Sequence, residues 1–137
     1  MKRIVLISCV KKKADHRVKA RDMYVSPLFR LMWRYAETMH PDGVFILSAQ
    51  HGLLKPDREI DPYDLTLKTM RVSQVREWSE RVRRQLMDVA DVAKDHFIFL
   101  ASQRYRQFLT PHFASFDVPL KGLGIGKQLQ RLKELTG

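Results

Sequence analysis

Apolar and polar positions alternate along the chain in a pattern that predicts strands separated by helices. Residues 3–8, 44–48 and 96–101 are short apolar runs, rich in β-branched or aromatic side chains, with the length of buried strands. A further short strand is predicted at residues 116–120. Polar and helix-forming stretches separate these runs, so the chain does not resemble a succession of hairpins.

Apolar residues at helical spacing occupy the stretches between the strands. Ser26 and Pro27 suit the N-cap and the first position of a helix that is predicted to end before His40. A second helix is predicted at residues 72–94, where the apolar residues form one stripe. Two shorter helices are predicted at residues 102–109 and 127–135.

The alternation of strands and helices predicts right-handed crossovers and a parallel sheet. We expect a single three-layer α/β domain over residues 1–137, with a small, mostly parallel sheet of about four strands flanked by helices. Ligands of such sheets bind outside the carboxyl ends of the strands. The main strands end at or next to Ser8, Ser48 and Ser102, which predicts three hydroxyls along one edge. The alternative is that each serine only caps a strand end or belongs to a turn.

Residues 48–67, which we name the central segment, are predicted to be a loop of twenty residues. Loops of this length are uncommon in compact domains and are usually functional or disordered. Several apolar residues argue against disorder, and Pro56 and Pro62 stiffen the path. The segment carries residues suited to recognition or acid–base chemistry, namely His51, Gly52, Asp61, Tyr63 and Asp64.

The excess of basic residues is the strongest global signal in the composition. The chain has 25 lysines and arginines against 15 acidic residues, a formal net charge of +10. Such an excess favours polyanions, so nucleic acid or an anionic nucleotide is the expected partner. The alternative is a basic protein whose charge only aids solubility.

Composition also excludes several classes of protein. No apolar run is long enough to cross a membrane, and lysines follow the first strand where a signal peptide would have small residues, so we expect a cytoplasmic protein without a membrane partner. The single Cys9 excludes an internal disulfide, and five scattered histidines give no metal site. We expect neither metal nor cofactor, and the oligomeric state stays open.

Four residues are candidates for catalysis, each with a structural alternative. Cys9 follows a strand and precedes Lys11, Lys12 and Lys13, whose charges favour a thiolate, but a cysteine at a strand end is often only a packed residue. The lysines suit phosphate contacts or a solvated surface.

The other three candidates lie in the central segment. His51 offers acid, base or hydrogen-bond roles beside a flexible Gly52, or it is an ordinary turn residue. Tyr63 and Asp64, with Asp61 nearby, could orient a base or accept from a ligand amine, or could only fix the loop.

Three stretches of the chain resemble the YaaA peroxide-stress proteins. Residues 48–65 resemble their glycine-leucine-basic-proline and proline-tyrosine segments, residues 7–12 resemble their opening strand and turn, and residues 100–105 resemble their alanine-serine-x-x-tyrosine segment. Cys9 replaces a proline of that family and Asp64 an arginine. The serine-cysteine-x-lysine-lysine opening is similar to that of small YaaA-related domains of unknown function. The matching positions are Ser8, Lys12, Gly52, Leu53, Pro56, Pro62, Tyr63, Ser102 and Tyr105.

The resemblance implies DNA binding through a basic cleft and protection of DNA under oxidative stress. Distantly similar domains occur with base-modification enzymes and glycosylase-like folds, which implies an alternative reaction on a nucleobase, a nucleotide or an N-glycosidic bond. Whether a reaction is catalysed stays open between these two hypotheses. The ligand-binding candidates shared by both are Ser8, Lys11, Lys12, Lys13, Ser48, His51, Gly52, Tyr63, Asp64, Ser102 and Tyr105.

Overall fold

The computed structural model describes residues 1–9 and 12–137. Its strands are β1 (Arg3–Ser8), β2 (Val18–Lys19), β3 (Gly43–Ser48), β4 (Gly52–Leu54), β5 (Glu59–Ile60), β6 (His96–Leu100) and β7 (Ser115–Asp117). Its α-helices are α1 (Ala20–Met23), α2 (Pro27–Thr38), α3 (Val72–Leu86), α4 (Gln103–Arg106) and α5 (Ile125–Thr136). Two single turns of 3₁₀ helix lie at Leu67–Thr69 and Thr110–His112.

The main sheet has five strands in the order β4-β3-β1-β6-β7. Strands β3, β1, β6 and β7 run parallel, and only the edge strand β4 is antiparallel. This confirms the prediction of a mostly parallel α/β sheet. The chain moves from β1 to β3 on one side and then returns past β1 to β6 on the other. The connection from β1 to β3 contains α2, and the connection from β3 to β6, which runs in the opposite direction, contains α3. Because such connections are right-handed, the two helices lie on opposite faces of the sheet, and the domain has three layers.

The central strands explain the position of the core. Every residue of β1 after Arg3 is buried, as is every residue of β6 after His96. Continuous apolar runs of this kind suit parallel strands covered on both faces. Helix α2 begins as predicted, because the Ser26 side chain accepts a hydrogen bond from the Phe29 N–H at 3.2 Å.

The prediction of an irregular twenty-residue central segment is wrong. After β3 the chain turns back at once, and β4 pairs with β3 in antiparallel register, with Leu54 opposite Ile46. Further on, β5 pairs with β2, which lies between β1 and α2. Part of the basic stretch that joins β1 to α2 therefore also has regular structure. Leu54 and Ile60 are buried through these pairings.

Several predicted bounds also differ from the structure. Helix α3 ends at Leu86, not at residue 94, because the following residues form turns closed by the Asp95 carboxylate. That carboxylate accepts hydrogen bonds from the Asp91 N–H and from the Lys2 N–H, both at 2.8 Å. Strand β7 and helix α5 begin one and two residues earlier than predicted, and α4 is shorter. Within the described part of the chain, no helix is both long and apolar enough to cross a bilayer.

Candidate functional site

The carboxyl ends of β3, β1 and β6 lie side by side and bring the predicted serines to one edge of the sheet. Across the junction of β1 and β6, the Ser102 N–H donates a weak hydrogen bond to Ser8 Oγ at 3.4 Å. From β1 the chain builds the sheet outwards to β3 on one side and later to β6 on the other, so the direction of winding reverses between β1 and β6. Ligands of doubly wound sheets bind at such reversals. Ser8 is buried and Ser102 is exposed.

Three buried hydroxyls form a hydrogen-bonded chain beneath this edge. Tyr63 OH lies 2.7 Å from Ser48 Oγ and 2.6 Å from Tyr24 OH. Ser48 Oγ also accepts from the His51 N–H at 3.1 Å. The Ser48 hydroxyl therefore faces the protein interior and ties the central segment to the end of β3. Sequence reasoning missed Tyr24, because its partners are distant in the chain.

Cys9 lies near this cluster. Its Sγ lies 3.2 Å from Tyr105 OH, and the Tyr105 ring meets the Trp78 ring edge-on at 5.5 Å. Trp78 in turn donates from Nε1 to the Ser48 carbonyl at 2.8 Å. Cys9 is only 9% exposed, so the structure places it as a packed residue that links β1 to α4.

The buried tyrosines are held in their neutral form. Burial raises the pKa of Tyr24, Tyr63 and Tyr105 well above the ordinary value, and the charge of a Cys9 thiolate would raise it further. At neutral pH these phenols can donate hydrogen bonds but cannot act as bases.

The three lysines that follow β1 differ in their placement. Lys11 lies outside the described residues, and Lys12 is exposed. Lys13 is half-buried, and its Nζ lies 4.7 Å from the centroid of the Tyr63 ring and 6.0 Å from that of Tyr24. An antiparallel bridge between Lys13 and Tyr24 fixes its backbone, so one predicted lysine stands directly beside the hydroxyl chain.

The turn that holds His51 depends on Gly52 and Gln85. Gly52 has a φ of 72°, and a Cβ at this position would collide with Gln85 Oε1. The Gln85 side chain donates to the His51 carbonyl at 3.1 Å and accepts from the Leu53 N–H at 2.8 Å. The backbone angle therefore favours glycine here, and a side chain at this position would also displace the Gln85 amide from its two hydrogen bonds. Gln85 on α3 is a positioning residue that the sequence did not single out.

His51 is a neutral imidazole in a basic environment. Its ring stands nearly perpendicular to the Tyr63 ring, with centroids 5.6 Å apart. Burial lowers the His51 pKa, and the charges of Arg58 and Arg81 lower it further. Nε2 is buried, and it has no hydrogen-bond partner among the described residues.

The acidic residues of the central segment do not gather around Tyr63. Asp61 pairs with Arg17 at 3.0 Å, and Asp64 is exposed although the neighbouring Tyr63 is buried. Glu59 also lies 4.0 Å from Arg17, and Asp57 pairs with Arg21 at 3.2 Å. Over residues 1–9 and 12–137, no group of three or more metal-ligating side chains is assembled.

The comparisons with known proteins agree on a family whose function is unknown. The chain is 33% identical over 143 residues to the "Uncharacterized protein YfjM" of Bacillus subtilis (strain 168), a match that covers 96% of this chain and 93% of that protein. No solved structure matches the chain. A family model matches residues 4–134, and the chain therefore belongs to the family of unknown function DUF6884.

Proposed function

We propose that this protein binds nucleic acid or an anionic nucleotide at the carboxyl edge of its sheet. One observation carries the proposal. Three carboxylates of the central segment, those of Asp57, Glu59 and Asp61, lie within 4.0 Å of Arg17 or Arg21. Three other cations, which lie near His51 or Tyr63, keep their charge available for a ligand.

These cations are Lys13, Arg58 and Arg81, and none of them has an acidic partner within the part of the chain that the structure describes. Arg58 and Arg81 lie close enough to His51 to lower its pKa, and Arg81 donates to the Gln50 carbonyl at 2.9 Å. Lys13 stands over the Tyr63 ring. The three cations thus lie near His51 or Tyr63, and the net charge of +10 adds a favourable long-range field.

Fluorescence anisotropy with labelled oligonucleotides tests the proposal. Single-stranded DNA, double-stranded DNA and RNA of equal length are titrated at several salt concentrations. We expect binding with little sequence preference, and an affinity that falls linearly with salt on a double logarithmic plot, because each phosphate contact releases condensed counterions. No detectable binding to any of the three at low salt contradicts the proposal of nucleic-acid binding.

The likeness of the central segment to the YaaA proteins supports a narrower form of this proposal, in which the bound nucleic acid is DNA and the consequence is protection from oxidative damage. A plasmid exposed to iron and peroxide tests it. We expect fewer strand breaks with this protein than with a bovine albumin control at the same mass concentration. Equal breakage with both proteins contradicts the protective role and leaves binding itself untouched.

A second candidate function is an enzyme acting on a nucleobase, a nucleotide or an N-glycosidic bond. The observation that favours it is the neutral His51 imidazole, whose Nε2 has no partner among the described residues. A neutral imidazole is the form that general-base catalysis requires, and a substrate reaches the buried Nε2 only when the turn that holds His51 opens. Incubation with nucleosides, nucleotides and oligonucleotides, followed by chromatography, tests this role. No turnover of any of these compounds by the wild-type protein contradicts it, and turnover that survives in His51→Gln, Tyr63→Phe and Asp64→Ala variants with unchanged circular dichroism excludes these three residues as the working groups.

A further inference from the structure

An open cavity of about 350 Å³ lies where helix α3 meets the chain just after β3. None of its lining residues was singled out by the sequence motifs. They come from the turn after β3, from the stretch just before α3 and from one face of α3, and they are Ala49, Met70, Gln74, Glu77, Trp78, Arg81 and Arg84. Sites for small ligands have volumes of roughly 300–1,000 Å³, so the cavity falls within their range.

The floor of the cavity is apolar and held in place by hydrogen bonds. Ala49 and Trp78 are buried, and Met70 is half-buried. Trp78 Nε1 donates to the Ser48 carbonyl at 2.8 Å, and Arg81 donates to the Gln50 carbonyl at 2.9 Å. These bonds attach α3 to both sides of Ala49, so the floor is a preformed surface and part of the carboxyl edge.

The rim carries charges of both signs. Gln74, Glu77, Arg81 and Arg84 are exposed and recur every three or four residues, which places them on one face of the helix. Among the described residues, neither Glu77 nor Arg84 forms an ion pair. On the neighbouring face, by contrast, Arg83 and Glu80 neutralise each other at 2.8 Å.

The two arginines, Glu77 and the apolar floor together favour a single phosphate group on an organic ligand over a chain of phosphates. Two guanidinium groups three residues apart suit the oxygens of a phosphate group. The Glu77 carboxylate accepts hydrogen bonds from hydroxyl or amino groups and repels a continuous run of phosphates. The apolar floor suits the flat face or edge of a base. A ligand that offers one phosphate, hydrogen-bond donors and an aromatic ring satisfies all three parts of the cavity.

We propose that this cavity binds a mononucleotide, with its phosphate at Arg81 and Arg84 and its base or ribose donors at Glu77. The inference rests on the proposed function and narrows it, because it assigns one subsite of the carboxyl edge to a single nucleotide unit rather than to an extended backbone.

Tryptophan fluorescence provides a direct readout. The chain has two tryptophans, and Trp33 lies on α2, stacked on Phe29. In a Trp33→Phe variant, Trp78 in the cavity floor is the sole tryptophan. We expect saturable quenching by the monophosphates of adenosine, guanosine, cytidine or uridine, confirmed by titration calorimetry, and much weaker responses to ribose 5-phosphate and inorganic phosphate.

Substitutions on adjacent helix faces separate the cavity from general charge effects. Arg84→Gln should weaken mononucleotide binding about tenfold, because it removes a charge-assisted contact. The matched control Arg83→Gln removes the same charge one residue away, from the pair with Glu80, and should leave the affinity within about twofold. Equal losses in both variants overturn the cavity assignment. Glu77→Gln should weaken mononucleotide binding while leaving oligonucleotide binding equal or stronger.

The outcomes for the two proposals differ. Oligonucleotide binding without any mononucleotide response at millimolar concentration overturns the cavity assignment and leaves the proposed function standing. The absence of both kinds of binding overturns both. Quenching by inorganic phosphate as strong as that by the mononucleotides also overturns the assignment, because it shows an anion site without recognition of the base.

Discussion

Tyr63 OH lies 2.7 Å from Ser48 Oγ, and this contact joins two residues that are fifteen positions apart. It closes the central segment back onto the end of β3 and so determines the shape of the carboxyl edge. Tyr63 also contacts Tyr24 OH at 2.6 Å. The same phenol therefore connects the central segment to the stretch before α2.

Tyr63→Phe should lower the free energy of unfolding by about 1–3 kcal/mol, because it leaves the hydroxyls of Ser48 and Tyr24 buried with fewer partners. Chemical denaturation measures this change. Tyr35→Phe is the matched control, since the Tyr35 phenol is half-buried and has no side-chain hydrogen bond within the described part of the protein. Equal stability of the two variants would show that the hydroxyl chain contributes nothing.

The raised pKa values of the buried tyrosines predict a loss of stability in alkaline solution. Above about pH 10 the unfolded chain releases phenol protons that the folded protein keeps. The native state then binds more protons, so the free energy of unfolding decreases as the pH rises. Denaturation between pH 8 and 11 should show this decrease, and a double variant Tyr63→Phe/Tyr105→Phe should show a shallower one. If the free energy of unfolding fell equally steeply with pH in the wild type and in the double variant, the burial of Tyr63 and Tyr105 would be contradicted.

His51 should titrate below the ordinary value near 6.5, since burial, Arg58 and Arg81 all oppose its protonation. As the pH falls, His51 is therefore protonated in the unfolded chain at a higher pH than in the folded protein. The stability contributed by neutral His51 is complete above about pH 6.5 and is lost as the pH falls towards the folded pKa. The imidazole proton signals in an NMR titration measure the pKa directly. A His51 pKa above the ordinary value near 6.5 would be incompatible with this placement.

Gly52→Ala should destabilise the protein by about 1–2 kcal/mol or more, because alanine resists a φ of 72° and its Cβ would collide with Gln85. Gly126→Ala is the matched control. Gly126 lies within α5, and a Cβ there meets nothing within 4 Å, so this change should stabilise the helix by up to about 1 kcal/mol. Thermal unfolding of both variants gives the comparison. A Gly52→Ala variant as stable as the wild type would contradict the preference of this turn for glycine.

The elements that depend on local sequence were predictable, and those that depend on distant pairing were not. Ser26 and Pro27 begin α2 as expected, since capping is a property of adjacent residues. Strands β4 and β5 were missed because two- and three-residue strands exist only through their partners. Helix α3 was predicted too long because the Asp95 carboxylate, which also binds the Lys2 N–H, stabilises turns where the apolar stripe continues.

The same distinction applies to the candidate site. The pattern of strand ends correctly brought Ser8, Ser48 and Ser102 to one edge, because parallel strands end together. The sequence pattern did not show that Tyr63 is buried while Asp64 is exposed, since that depends on how the central segment packs. The cavity that Arg81 and Arg84 of α3 line becomes visible only when the turn after β3 is in place.

The salt dependence of oligonucleotide binding by two double variants is the decisive test of phosphate binding at the carboxyl edge. Lys13→Gln/Arg58→Gln removes two charges from the carboxyl edge, and Lys94→Gln/Lys133→Gln removes two from the stretch before β6 and from α5. If the carboxyl edge holds phosphates, the first variant should bind more weakly to all sequences, with a log–log salt slope that is smaller by about two, and the second should resemble the wild type. Equal slopes for both variants, or a larger loss in the second, would contradict the account.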